Sequence, residues 1–429
     1  MAKVTLLMTF CLGAFVVTLT LATDNLQDFN NLNISSFNLP NHTIIKQLLD
    51  VHGNNLYIDD SIVEFVSHYG YRIESHTIET NDGYILQLHR ITGNKTNPNP
   101  KGKPAVLLQH GLLSSSIDWV ITGPERALGL ILADVGYDVW LGNVRGNVYS
   151  RKHRFLSVNN PDFWNFSWHE IGIHDIPAMI DYILHTTGQK KISYVGHSQG
   201  TTVFFVMTSE LPAYNEKIHA MFSLAPIVYS SNMFSPILQS LSQKVNQLKY
   251  IAGLIGFYEL KPSNKFFQNF KSLLCKETAV VQPMCKNLLF MIAGFDSKQL
   301  DKAKLPLILR HVPAGASVKQ IIHYGQIIKT GTFRKYDYGS IGNLKRYGKV
   351  FPPSYDLKNV RVPVALHYSS NDWLANIKDV NKLYSKLPNK IGKFYVKYKK
   401  FNHIDYLFAK DVKHLLYDKI LTLMSVYES

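Results

Sequence analysis

Short apolar runs recur along this chain between segments of helical character, and this alternation limits the folds that the chain can adopt. Residues 105–108 follow Pro104 and lack the polar alternation of a half-solvated strand, so both faces of this strand should be buried. Further strands are predicted at 137–141, 192–195, 221–225, 362–368 and 393–398, and helices at 124–135, 176–185, after Thr201 and at 412–424. The alternation predicts an α/β fold with a mostly parallel, doubly wound sheet.

A hairpin precedes these alternating units. Residues 74–79 and 84–91 have the pattern of two strands, and Asp82-Gly83 between them is a typical turn sequence. We therefore expect an antiparallel pair ahead of the parallel strands.

The alternation stops after Pro226 and resumes only with the strand predicted at 362–368. A long interruption inside one continuous pattern indicates an insertion into a single domain. We expect a largely helical cap or lid at residues 229–352, between the two parts of the core at 56–228 and 353–429.

The N-terminus has the pattern of a secretory signal peptide. Lys3 supplies positive charge, an apolar run extends from residue 4 to 21, and Thr20-Leu21-Ala22 offers small residues for cleavage. A membrane anchor is the alternative, because the run is long for a signal. We expect a signal peptide at 1–22, a leader or pro-segment at 23–55, and a mature chain without a transmembrane anchor in the secretory pathway, extracellular or lysosomal.

Cysteine and asparagine usage agree with that route. The chain has 3 cysteines, and Cys11 would leave with the signal, so Cys275 and Cys285 remain as an even pair in an oxidising compartment. Four N-glycosylation sequons begin at Asn33, Asn41, Asn94 and Asn165. The last of these lies inside the aromatic run 163–166, which favours a buried side chain.

A Gly-x-Ser-x-Gly sequence at residues 196–200 lies between a predicted strand and a predicted helix. This context favours a sharp turn that raises Ser198 above the sheet as a nucleophile, and a plain glycine-rich turn is the alternative. The two glycines suit a place where strand and helix pass closely, and the serine backbone in such turns is commonly strained. The helix start behind Ser198 would favour developing negative charge.

Two N–H groups near this serine could form an oxyanion hole. An acyl-transfer site needs preorganised donors aimed at the developing oxyanion. One donor should come from Gln199, and the other from Leu112 in the loop after the strand at 105–108, where Gly111 lets the backbone turn. His110 in that loop is a rival base, but its position beside the oxyanion donors favours a structural role.

The candidate acid and base follow the serine in chain order. Asp372 comes after the strand at 362–368 and His403 after the strand at 393–398, where α/β active sites assemble. The imidazole would take the serine proton and return it to the leaving alcohol, while the carboxylate holds its tautomer. Asp379 and Asp405 are the rival acids, but the first falls on the next helix and the second starts another.

His169, Glu170 and His174 resemble a zinc-binding helix at first sight. The five-residue spacing of the two histidines turns their rings away from a common face. We therefore predict no metal site, and the sequence indicates no cofactor.

With these residues assembled, the chain resembles the acid lipase family that includes gastric and lysosomal acid lipases, and within it an insect-type member. The resemblance extends from about residue 63 to the C-terminus. It rests on the segments 82–86, 108–113, 132–134, 136–143, 194–202, 313–315, 317–318 and 401–403.

The resemblance implies an α/β-hydrolase fold with a cap and lid, and hydrolysis of triacylglycerols or cholesteryl esters without a colipase. It implies these roles: nucleophile Ser198, acid Asp372, base His403, oxyanion donors Leu112 and Gln199, and a cap disulfide between Cys275 and Cys285. Trp373 differs from the aliphatic residue common in the mammalian relatives, and this difference bears on the acyl-chain pocket. The long segment 24–55 also departs from those relatives.

Positive charge is concentrated in the insertion. Residues 229–352 hold 18 lysines and arginines against 5 acidic residues, so most of the chain's formal net charge of +15 lies there. A signal peptide and the lack of a binding motif argue against nucleic acid as a partner. A basic face that meets an anionic lipid interface fits better, and we expect a monomer.

Two other functions use the same features. A small-ester carboxylesterase would have the same three side chains and a narrower pocket. A catalytically silent lipid-binding or storage relative would have no need to keep Ser198, Asp372 and His403 together.

Overall fold

The structure is a computed structural model that describes residues 7–11, 14–18, 59–94, 96–260, 292–296 and 298–428. The predictions for Asn33, Asn41, Cys275 and Cys285 fall outside these residues, as does the whole of the segment 23–55. Within the predicted signal segment the structure has two antiparallel strands, Leu7–Cys11 (β1) and Ala14–Thr18 (β2).

Among the described residues, nine strands form one sheet, and six of them are parallel. The strands are Ile73–Glu79 (β3), Tyr84–Ile91 (β4), Ala105–Gln109 (β5), Asp138–Leu141 (β6), Lys152–His153 (β7), Ile192–His197 (β8), Ile218–Leu224 (β9), Val364–Tyr368 (β12) and Lys390–Tyr395 (β13). Their order is β13-β12-β9-β8-β5-β6-β4-β3, and β7 pairs with β4. Strands β3, β4 and β7 form the antiparallel end. The prediction of an α/β fold with a mostly parallel sheet is confirmed.

Helices cover the sheet and also occur in the described parts of the segment between β9 and β12. Those outside that segment are Asp59–His68 (α1), Leu128–Asp134 (α2), Ile176–Thr187 (α3), Gln199–Glu210 (α4), Ile377–Lys386 (α10), Asp405–Phe408 (α11) and Asp418–Tyr427 (α12). Between β9 and β12 lie Pro236–Gln243 (α5), Val245–Leu254 (α6), Leu305–His311 (α7), Val318–Thr330 (α8) and Ser340–Tyr347 (α9). Two short strands, Glu259–Leu260 (β10) and Ala316–Ser317 (β11), pair within the same segment.

The central strands are buried on both faces, as the apolar run of β5 predicts. Val106 and Leu108 belong to one apolar cluster of the core, whereas Ala105 and Leu107 belong to the other. All four are no more than 1% exposed. The sheet therefore separates two apolar layers, which fixes the carboxyl ends of its strands relative to one another.

Three predicted element bounds are wrong in detail. The helix expected from Pro124 begins at Leu128, because the carbonyl of Gly123 accepts the N–H groups of both Arg126 and Ala127 and closes a turn first. The last strand is Lys390–Tyr395 rather than 393–398, since its parallel register on β12 brings Tyr368 opposite Tyr395. The closing helix divides into a π-helical turn, Lys413–Tyr417, and α12.

Helix length also bears on the membrane question. Throughout the part of the chain that the structure describes, no helix combines the length and the apolar character needed to cross a membrane.

Candidate active site

Ser198 lies at a sharp turn between β8 and α4. Its backbone has φ 54° and ψ −118°, a conformation that non-glycine residues rarely adopt and that costs about 1–3 kcal/mol. Its N–H donates to the carbonyl of Leu224 at 3.0 Å. A Cβ on Gly200 would stand 2.2 Å from the carbonyl oxygen of Gln109, so only glycine lets α4 start so close to β5.

The side chains of Ser198, His403 and Asp372 form a hydrogen-bonded series. Nε2 of His403 lies 2.8 Å from Oγ of Ser198, and Nδ1 lies 2.9 and 3.0 Å from the two carboxylate oxygens of Asp372. Asp372 is 1% exposed and His403 is 5% exposed. With Nδ1–H donated to the carboxylate, Nε2 is the acceptor that faces the serine hydroxyl.

The acid is held by its own loop. Oδ1 of Asp372 accepts the N–H groups of Leu374 at 2.9 Å and Ala375 at 2.8 Å. These two bonds satisfy a buried carboxylate that also bonds an imidazole, and they fix its orientation.

The base is held through its backbone. The carbonyl of His403 accepts a hydrogen bond from Nε2 of His197 at 2.9 Å, and its N–H donates to the carbonyl of Ala293 at 3.1 Å. Burial lowers the pKa of His197 to about 3, and the neighbouring His403 adds to this decrease, so His197 stays neutral. A neutral His197 can support the base without placing a second positive charge beside it.

The loop after β5, which the sequence predicts to hold an oxyanion donor, packs against Ser198. A Cβ on Gly111 would stand 3.1 Å from Cβ of Ser198. Leu113 has φ 62°, and its carbonyl accepts the N–H of Ala314 at 2.7 Å. Leu112 thus lies in a loop that meets Ser198, and Gln199 is the first residue of α4, where N–H groups have no intrahelical acceptor.

His110 has a structural environment. Its Nδ1 bonds the carbonyl of Gly111 at 2.7 Å, and its Nε2 accepts the N–H of Val144 at 3.3 Å. Burial lowers the pKa of His110 to about 4. A neutral ring with both nitrogens engaged by the backbone holds the loop and has no free nitrogen for a serine proton.

The other candidates from the sequence lie elsewhere. Asp379 accepts the backbone and side-chain N–H groups of Asn232 at 2.8 Å each, and Asp405 accepts the N–H of Asn402 at 2.7 Å. His169 bonds Tyr355 at 2.8 Å, while the ring of His174 lies 3.8 Å from Asp82. Asp372 is therefore the carboxylate that bonds His403.

Asn165 is exposed, contrary to the expectation from its aromatic surroundings. The flanking Trp164 and Phe166 turn into the core, while the asparagine caps the short turn Pro161–Trp164 and bonds Lys319 at 3.0 Å. Asn94 is partly exposed and accepts the N–H of Thr96 at 3.1 Å. Both sequons that the structure describes are therefore on the surface.

Sequence reasoning missed four residues that contact the acid and base loops. Ala293, Gly294, Phe295 and Asp296 come from the middle of the segment between β9 and β12 and pack against residues 371–373 and 402–405. Asn402 and Gly294 are 108 positions apart, so no local pattern connects them.

This geometry can deprotonate a serine hydroxyl at a strained turn, and it can stabilise the imidazolium that results with a buried carboxylate. That is the chemistry of serine hydrolases with the α/β-hydrolase fold. Comparisons with known protein families agree: a model of a partial alpha/beta-hydrolase lipase region matches residues 62–123, and a model of the alpha/beta hydrolase fold matches residues 104–410.

Named relatives identify the branch of this class. Lipase 3 of Drosophila melanogaster is 45% identical, over 84% of this chain and 91% of that protein. Gastric triacylglycerol lipase of Bos taurus is 40% identical, over 85% and 91%, and human lysosomal acid lipase/cholesteryl ester hydrolase is 38% identical, over 86% and 91%. The chain belongs to the acid lipase family and is a carboxylic ester hydrolase.

A solved crystal structure from Sulfolobus solfataricus shares the fold. It is 16% identical, covers 82% of this chain and 93% of its own, and superposes with a TM-score of 0.55. At this identity the likeness bears on the fold alone.

Proposed function

We propose that this protein is a serine lipase that hydrolyses neutral lipid esters, triacylglycerols or cholesteryl esters, through an acyl-enzyme formed on Ser198. The observation that carries the proposal is the hydrogen-bonded series from Asp372 through His403 to Oγ of Ser198. The relatives named as gastric triacylglycerol lipase and lysosomal acid lipase/cholesteryl ester hydrolase support the lipid class.

In the first half of the reaction, Oγ of Ser198 attacks the ester carbonyl while its proton passes to Nε2 of His403. The tetrahedral intermediate then collapses, the bond to the alcohol breaks, and Nε2 returns the proton to the leaving oxygen. Water repeats the sequence on the acyl-enzyme, releases the fatty acid and restores the serine. Asp372 keeps Nδ1 protonated and stabilises the transient imidazolium throughout.

The oxyanion donors in this scheme are the N–H groups of Leu112 and Gln199. The close approach of Gly111 to Ser198 supports the first, and the position of Gln199 at the start of α4 supports the second.

We assign the cap to residues 229–352, between core parts 56–228 and 353–429, and propose that it meets lipid. Helix α6 and the residue after it leave large apolar side chains in solvent: Tyr250 and Leu254 are 68% exposed, and Ile251 and Ile255 are more than half exposed. Packing against the described residues does not bury these four side chains. An apolar helix within a basic segment suits an anionic lipid interface.

The remaining features fit a secreted protein. A signal peptide at 1–22, a disulfide between Cys275 and Cys285 and glycosylation at Asn94 or Asn165 would each follow from passage through the secretory pathway. The relatives named as gastric and lysosomal lipases support an extracellular or lysosomal location for a monomer that acts on lipid.

A fluorophosphonate probe tests the nucleophile. The parent protein should become covalently labelled on Ser198, and Ser198→Ala should not be labelled. Ser425→Ala, which changes an exposed serine on the last helix, is the matched control and should be labelled like the parent. Labelling of Ser198→Ala at the parent rate would refute the assignment.

Substrate length tests the lipid class. Turnover of an emulsified long-chain triacylglycerol or cholesteryl ester, compared with a short-chain ester in solution, separates a lipase from a small-ester carboxylesterase. Efficient turnover of only the soluble ester would indicate the esterase. Absence of both labelling and turnover would indicate a silent lipid carrier.

A further inference from the structure

The four residues 293–296 contact both loops that carry the proposed acid and base. The carbonyl of Ala293 accepts the N–H of His403 at 3.1 Å and also the N–H of Trp373 at 3.4 Å. One carbonyl of the insertion therefore bonds the catalytic base and the residue directly after the acid.

Side chains of the two loops complete this contact. Nδ2 of Asn402 donates to the carbonyl of Gly294 at 2.9 Å, and Nδ2 of Asn371 donates to the carbonyl of Phe295 at 3.0 Å. The donors are the neighbours of His403 and Asp372 in sequence. Each loop is thus tied to residues 293–296 by backbone and by side chain.

Two buried carboxyl groups, those of Asp296 and Asp405, lie beside the contact between residues 293–296 and the two loops. The first is 1% exposed and the second 3%, and their carboxyl groups face each other within hydrogen-bond reach. Oδ1 of Asp296 accepts the N–H groups of Lys298 and Gln299 at 2.9 and 3.2 Å, whereas no described donor reaches Oδ2. Two carboxyl groups can bond each other only when one holds a proton, because two carboxylates offer acceptors alone.

The charged groups that act most strongly on Asp405 are the carboxyl groups of Asp296 and Asp372. Asp372 adds to the negative field at Asp405, and Asp411 and the hydroxyl of Tyr398, which lies 3.5 Å from Asp296, are the other titratable groups nearby. Burial is the largest cause that raises the pKa of Asp405, to about 8. The N–H of Asn402 opposes this increase, and the carboxyl group of Asp296 adds to it.

We propose that residues 293–296 are positioning residues for the catalytic acid and base, and that a proton shared between Asp296 and Asp405 holds them in place. This rests on the proposed roles of Asp372 and His403. When the shared proton leaves, two buried carboxylates repel each other across the contact, and the carbonyl of Ala293 moves away from the N–H of His403. The device keeps the base aligned in acidic solution and releases it in alkaline solution.

Asparagine at either position tests the shared proton. In Asp296→Asn, Oδ1 can still accept the N–H groups of Lys298 and Gln299, while Nδ2 donates to the Asp405 carboxylate without a shared proton. Asp405→Asn offers the reverse pairing. Both should keep the contact intact at a pH at which the parent loses it.

The measurement is the rate constant for fluorophosphonate labelling of Ser198, with kcat/KM for a soluble ester, from about pH 4 to about pH 9. The parent should lose about tenfold or more in both rates above the pKa of Asp405. The two Asn variants should extend the alkaline limb by about one pH unit or more. Asp301→Asn is the control. It changes another acid of the same segment, one that pairs with Arg126 of the core, and it should keep the parent's pH profile.

Profiles of the two Asn variants that superimpose on the parent would overturn the proposal. A uniform loss at every pH with the parent's shape would also overturn it, because that is what a merely structural role produces. Circular dichroism at each pH identifies a variant that does not fold, and the other variant then decides. These outcomes are distinct from a wrong assignment of the nucleophile, because a wrong assignment would appear as labelling of Ser198→Ala.

Discussion

The proposed nucleophile, Ser198, and the proposed acid–base pair, Asp372 and His403, are held in different ways. Ser198 is fixed by the core: its N–H bonds Leu224 on the neighbouring strand, and the hydroxyl of Tyr194 bonds the carbonyl of Gly200 at 2.9 Å. The loops of Asp372 and His403 follow β12 and β13 at one edge of the sheet, and residues 293–296 tie these loops together.

This difference separates a turn encoded by consecutive residues from a site assembled from distant segments. The turn at Ser198 is encoded at residues 196–200, and contacts with Leu224 and Gln109 on the adjacent strands complete it. The acid–base side needs three segments that lie far apart in the chain, 293–296, 371–373 and 402–405. Changes at residues 293–296 should therefore alter the alignment of the proposed base more than the strained turn at Ser198.

Ser198→Ala should show the largest effect. Removal of the hydroxyl eliminates the nucleophile, and loss of this group in a comparable triad lowers kcat by a factor on the order of 10⁵–10⁶. Thermal unfolding should change little, because the turn and its backbone bonds remain. Steady-state kinetics and calorimetry measure the two quantities, and a variant with near-parental kcat would rule out the assigned nucleophile.

Asp372→Asn tests the acid–base side with a nearly isosteric change. The amide oxygen can still accept the N–H groups of Leu374 and Ala375, so the loop should keep its place. The amide N–H₂ disfavours the tautomer with Nδ1–H on His403, so kcat should fall by about 10⁴. Asp379→Asn is the control for loss of a buried carboxylate, and an equal loss there would mean that the effect is structural.

The sequence predicted the fold class because burial of β5 on both faces leaves a signature in four consecutive apolar residues. The predicted ends of strands and helices were less accurate where contacts with other parts of the chain set them. The end of β13 is set by its register on β12, and the start of α2 is set by the carbonyl of Gly123. Neither partner is visible in the local pattern of hydrophobicity.

The same limit applies to the site. Ser198, Asp372 and His403 follow strand ends in chain order, so sequence reasoning selected three side chains that the structure brings within hydrogen-bond distance. The sequence indicates Asp405 only as a rival acid. It gives no sign of the partner Asp296, because neither the spacing nor the residue type of an isolated aspartate indicates a carboxyl pair.

Gly294→Ala tests whether the insertion aligns the base. Gly294 has φ 107°, and a Cβ there would stand 2.1 Å from the carbonyl of Asn371. The segment must shift away from the acid loop, and a displacement of about 1 Å at a catalytic group can cost on the order of 10²-fold in kcat. KM for a soluble ester should change little.

Gly253→Ala is the matched control for Gly294→Ala, because a Cβ on this cap-helix glycine meets nothing within 4 Å. It should retain parental kcat and gain about 0.5–1 kcal/mol in helix stability. Equal kcat values for the two alanine variants would show that residues 293–296 do not align the base.

The smallest effect should appear in the pH dependence of the free energy of unfolding. Because the folded pKa of Asp405 is raised to about 8, the folded state holds a proton that the unfolded state releases near pH 4. The stability that this proton supplies is fully present below about pH 4 and is lost as the pH rises through about 8. Between about pH 5 and pH 8 the parent should therefore lose about 1–3 kcal/mol more than Asp296→Asn, whose amide bonds the Asp405 carboxylate without a shared proton. Urea unfolding at both pH values measures the difference, and equal losses in the two proteins would mean that the carboxyl pair holds no shared proton.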